Sequence, residues 1–98
     1  MLRGKERSYL KSIANNIDPI FQIGKGGLNK NFIVQLDKAL EKRELVKVKI
    51  LENCDLGPKE TAIEICEAIG AEFVQAIGSK FVIYKESKNN KQIDLSKI

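Results

Sequence analysis

Ninety-eight residues form one domain around one hydrophobic core, and 43% hydrophobic with 31% charged residues is a globular composition, which excludes a disordered chain and a membrane-embedded one. The longest apolar run, Phe81 to Tyr84, is far short of the roughly 20 residues that cross a bilayer, and residues 1–23 hold no secretory apolar stretch. A soluble, cytoplasmic protein with no membrane partner is expected. The chain has no histidine, so Ser-His-Asp, Cys-His and common zinc sites lose their central residue. Cys54 and Cys66 match neither a redox pair nor a metal half-site, and no cofactor, metal or catalytic residue is expected.

Charge is segregated along the chain. The net charge is +4, yet residues 1–49 carry 11 basic and 5 acidic side chains, residues 50–79 carry 1 and 6, and residues 80–98 carry 5 and 2. One strongly positive surface can therefore face a polyanion while another repels it.

Residues 3 to 15 read as a first helix, with Leu10, Ile13, Ala14 and Ile17 forming an apolar stripe at helical spacing, ended by Asp18-Pro19. Arg3, Arg7 and Lys11 recur every four residues as a basic row beside it. Ile20 to Ile23 is a short strand feeding Gly24-Lys25-Gly26-Gly27, after which Asn29 caps a second helix reaching about Arg43. Glu44 to Leu51 alternates as a strand, with Val46, Val48 and Ile50 inward and a polar second face bearing Lys47 and Lys49.

Pro58 opens a third helix whose inward face is Ala62, Ile65, Cys66 and Ile69, and Gly70 stops it. Glu60, Glu64 and Glu67 line its outer side, and Cys66 reads as a small core residue rather than a nucleophile. Glu72 to Ile77 and Lys80 to Lys85 are strands joined by the tight turn Gly78-Ser79. Residues 1–86 make the domain; 87–98 form a polar tail that Ile93 and Leu95 can anchor. The order αβαβαββ implies an α/β fold with a mixed four-stranded sheet packed with helices, the crossovers giving parallel pairing of successive strands and the hairpin an antiparallel pair.

Strand, Gly24-x-x-Gly27, helix is the informative constellation. Glycines let the backbone approach a sugar-phosphate chain, and a helix start presents unpaired N–H groups. GxxG alone is equally a tight strand-to-helix turn that needs glycine dihedrals. No mononucleotide or dinucleotide loop pattern is present, so a polymer is the better partner.

The residues Ile23 to Leu28, Glu44 to Ile50, Gly70-Ala71, Val74-Gln75, Ile77-Gly78 and Phe81 to Lys85 resemble the CRM domain, the RNA-binding module of chloroplast splicing factors and of bacterial YhbY-like ribosome-maturation proteins. The resemblance covers residues 1 to about 95 and is similar to the stand-alone bacterial arrangement. It implies a domain related to the C-terminal domain of translation initiation factor three, a GxxG loop used somewhat as in KH domains, and association with precursors of the large ribosomal subunit. Asn29 and Lys85 stand where the family commonly has Thr and Arg.

The expected function is non-enzymatic binding of ribosomal RNA or a precursor large subunit in ribosome assembly. Gly24, Lys25, Gly26, Gly27 and Lys30 would seat RNA backbone, and Arg3, Arg7 and Lys11 would extend the track. Lys47, Lys49, Tyr84 and Lys85 are further candidates, with Tyr84 equally a core or edge residue. A competing reading is an adaptor whose acidic third helix docks a ribosomal protein.

Overall fold

The computed structural model describes residues 2–24, 27–52 and 57–97. The first helix, α1 (Gly4–Ala14), begins where the Arg3 N–H donates to the Glu6 carboxylate at 2.7 Å. That bond satisfies one of the amides which a helix start leaves unpaired. Leu10 and Ala14 are its buried residues.

The strand β1 (Phe21–Ile23) is followed by α2 (Lys30–Arg43), and the Asn29 side chain accepts the Phe32 N–H at 2.8 Å as the expected cap. Phe21 and Phe32 meet edge to face with centroids 5.6 Å apart, fastening the start of α2 to β1. After β2 (Leu45–Ile50), α3 (Pro58–Ile69) starts with proline and ends at Gly70. Gly70 has φ 73°, a conformation that favours a residue without a β-carbon. The strands β3 (Glu72–Ile77) and β4 (Lys80–Tyr84) form the final hairpin, and Leu95–Lys97 makes one 3₁₀ turn.

The sheet order is β1-β2-β4-β3. The α2 crossover makes β1 and β2 parallel, as expected, but β2 and β3 do not pair. Instead β4 lies between them, antiparallel to both. The parallel sense of β2 and β3 is kept while the hairpin return strand takes the central position.

Helices α2 and α3 cover one face. Leu36, Leu40, Val46, Val48, Ala62, Ile65, Phe81 and Ile83 bury there, each fully buried large side chain contributing about 1.5–3 kcal/mol. The other face is not the uniformly polar one that the alternation in β2 suggests. Helix α1 and the tail cover half of it, where Leu10, Ala14, Leu45, Val74, Val82, Tyr84 and Ile93 form a second cluster.

Glu44, read in sequence as the start of a strand, is instead the C-cap of α2, with φ 64° and a fully buried side chain. Its carboxylate accepts the backbone N–H groups of Ser87, Gln92 and Ile93 at 2.8, 2.5 and 2.7 Å. Those bonds hold the tail against the domain and satisfy a charge that would otherwise be costly to bury.

Candidate nucleic-acid interface

The candidate site is built at one end of the sheet. Leu51 N–H donates to Ile23 C=O at 2.9 Å and Ile50 N–H to Ser79 C=O at 2.7 Å, so the chain leaving β1 and the Gly78-Ser79 turn share that end. Lys25 and Gly26 lie outside the described residues. Gly24 and Gly27 bracket them, with the Gly27 N–H donating to the Gly24 carbonyl at 2.9 Å.

The two glycines differ physically. Gly27 has φ 64°, so its own backbone calls for glycine. A β-carbon on Gly24 would meet Leu51 Cδ1 at an ordinary 3.6 Å, so nothing among the described residues demands glycine there. Lys30, the first residue of α2, is exposed beside this segment.

On the sheet face that α1 leaves open, the register places Lys47 opposite Val82 and Lys49 opposite Lys80. Gln22 lies beside Lys49 on β1, and Gln75 and Ile77 continue the face on β3. Lys47, Lys80 and Gln75 share a groove closed at one side by Asn15, the C-cap of α1. Lys80 was not among the residues singled out from sequence. Its signal was available, since it is the first residue of a strand whose partner bears Lys49, but the strand order had to be known first.

The row on α1 lies elsewhere. Arg7 is half-buried, and its Nε donates to the Phe73 carbonyl at 3.3 Å, tying α1 to β3. Arg7 and Lys11 share a groove along β3 with Lys59 of α3. In a sheet of order β1-β2-β4-β3, this is the edge opposite the glycine segment, about 14 Å away across three strand spacings. The expectation that Arg3, Arg7 and Lys11 directly prolong the glycine track therefore changes. Arg7 and Lys11 flank a second groove, to which α3 adds Lys59, while Arg3 is exposed at the N-cap of α1, and the lysines of β2 and β4 lie between the two edges.

Tyr84 is 5% exposed and packs in the second cluster, so it offers no face for a base. Burial, followed by Glu44, Glu86 and Glu6, pushes its hydroxyl up to about 12. Lys85 Nζ lies 2.8 Å from Asp37 Oδ1 of α2, so its charge is already countered within the chain. Glu60, Glu64 and Glu67 are exposed, as the helical spacing suggests.

Cys66 is buried, and desolvation with a smaller push from Glu72 raises its thiol to about 12, which leaves it a core residue rather than a nucleophile. Cys54 lies outside the described residues. Among the described residues no group of three or more His, Cys, Asp or Glu side chains could hold a metal ion, and no helix is long and apolar enough to cross a membrane.

Comparison with known proteins places this architecture. Over 95 residues the chain is 48% identical to Probable RNA-binding protein YqeI of Bacillus subtilis, covering 97% of this chain and 99% of the relative. It is 32% identical over 91 residues to a protein of Haemophilus influenzae named RNA-binding protein, covering 92% and 91%. The solution structure of SAV1595 from Staphylococcus aureus superposes with TM-score 0.80 at 58% identity, covering 97% of this chain and 99% of that one. The model of the CRS1 / YhbY (CRM) domain matches residues 2–85, and the chain belongs to that family.

Proposed function

We propose that this protein binds ribosomal RNA or precursors of the large ribosomal subunit and assists their assembly, without catalysing a reaction. The observation that carries the reading is the set of Lys47, Lys49 and Lys80 on the uncovered half of the sheet, with Lys49 and Lys80 toward the end where the glycine segment leaves β1 and Lys47 two residues back along β2. Cations on two neighbouring strands suit a phosphate chain. The names of the Bacillus subtilis and Haemophilus influenzae relatives support RNA as the polymer.

In this reading Gly24 to Gly27 let the RNA backbone approach, much as a GxxG loop does in KH domains, and Lys25 and Lys30 neutralise its phosphates. Arg7 and Lys11 hold a further stretch along β3, with Arg3 at the exposed start of the same helix. Lys85 contributes less, because Asp37 competes for it. Phosphate contacts set position more than sequence preference. The fold relation to the C-terminal domain of translation initiation factor three belongs to the same proposal.

The test is sedimentation of the tagged protein from cells on a gradient, with and without ribonuclease. The reading predicts ribonuclease-sensitive association with particles containing precursor large-subunit RNA. Association that survives ribonuclease and is lost on replacing Glu60, Glu64 and Glu67 with Gln would favour an adaptor docking a ribosomal protein through α3.

A further inference from the structure

A groove on the β1 side of α1 has no part in the contacts above, Lys47 apart. Tyr9 and Ile13 of α1, Ile17 and Ile20 of the segment entering β1, Arg43 at the end of α2, and Lys47 of β2 line it, with a volume of about 620 Å³. That volume lies within the range of small-ligand sites. Tyr9 and Ile20 are each 42% exposed, although the chain buries its other tyrosine.

An aromatic and three aliphatic side chains beside two cations make an amphipathic slot. It fits a flat apolar body attached to an anion, which is the chemistry of an unstacked nucleotide. Asp18 also lines the groove. Its carboxylate would repel a phosphate but accept hydrogen bonds from a base, so it orients the ligand with phosphate toward Arg43 and Lys47. An apolar peptide segment would instead leave both cations without a partner.

Position supports the same occupant. Ile20 at the groove and Gly24 are joined by β1, roughly 13 Å of extended chain. Gln22 of β1 is exposed between them, and Lys49 is its register partner on β2. A single strand leaving the glycine segment would meet Lys49, then Lys47, then the groove.

We propose that the groove between Tyr9, Ile20 and Arg43 receives one unstacked base of a single-stranded RNA, with Arg43 and Lys47 on its flanking phosphates. The proposal rests on the RNA-binding reading above and adds a base-holding site to it.

The test is binding of a labelled eight-nucleotide oligouridylate across a salt series to wild type, Tyr9→Ala, Tyr9→Phe, Arg43→Gln and Lys25→Glu, each checked for wild-type-like thermal unfolding. Tyr9→Ala should weaken binding about tenfold with an unchanged salt slope, and Tyr9→Phe should stay within about twofold of wild type. Arg43→Gln should reduce the slope magnitude by about 0.7. If the Tyr9 and Arg43 variants match wild type while Lys25→Glu weakens binding, the groove proposal fails and the RNA-binding reading stands. Wild type that binds large-subunit ribosomal RNA but not the oligouridylate also overturns it. Wild type that binds neither RNA overturns both.

Discussion

Lys49 of β2 stands directly opposite Lys80 of β4 on the sheet face that α1 leaves uncovered. Like charges in a cross-strand pair destabilise a sheet by a few tenths of a kcal/mol to about 1 kcal/mol, so the pair makes sense where an anion comes to lie between them. Lys80→Glu should raise stability to urea by about 0.2–1 kcal/mol while weakening binding to ribosomal RNA. Loss of stability with unchanged RNA affinity would make the pair a purely structural feature.

The two bracketing glycines separate fold from binding. Gly27→Ala should destabilise by about 1 kcal/mol, because φ 64° is costly for a residue with a β-carbon. Gly24→Ala meets, among the described residues, only ordinary contact with Leu51 and should fold at least as stably as wild type, yet bind RNA more weakly. Thermal unfolding beside RNA titration of both variants checks the contrast.

The tail is tied to α2 through acids. Glu41 accepts backbone N–H groups from Lys88 and Asn89, each at 3.0 Å, and a hydroxyl bond from Ser87 at 2.7 Å. The Lys88 amide first, then the Ser87 hydroxyl and the Asn89 amide, hold its carboxyl down to about 2. A carboxyl lowered in the folded state stabilises it fully above the unfolded value of about 4.3, and loses that contribution as pH falls toward 2. The Lys88 and Asn89 amide resonances should therefore titrate with a midpoint near 2, and Glu41→Gln should remove the transition. A midpoint above 4 would contradict the tether.

Much of this fold was legible because its signals are local. Asn29 caps α2, Pro58 opens α3, Gly70 closes it and Gly78-Ser79 turns the hairpin, each set by neighbours a few residues away. What sequence could not give depends on distant partners. The insertion of β4 between β2 and β3 is a choice among pairings that alternation alone leaves equal. Glu44 looked like a strand residue because its carboxylate partners lie more than forty positions away, at Ser87 and Ile93. Tyr84 and Lys85 looked available until α1 covered the one and Asp37 engaged the other. Lys59 and Lys80 became candidates only once the strand order put them beside Lys11 and Lys49.

Burial governs Cys66 as well. With its thiol raised to about 12, almost none is thiolate at neutral pH, and in a Cys54→Ser background it should react with a disulfide reagent only at the rate of unfolding. Fast labelling of the folded protein would contradict its place in the core.

The most direct test of the central claim is affinity for large-subunit ribosomal RNA and for duplex DNA of matched length, measured across a salt series with wild type and the Lys25→Glu, Lys49→Glu double variant. The account predicts that wild type prefers RNA. It also predicts that the double variant, folded by circular dichroism, loses about 1.4 from the slope magnitude of log affinity against log salt. Equal binding to DNA and RNA, with an unchanged slope in the variant, would contradict an RNA site on this end of the sheet.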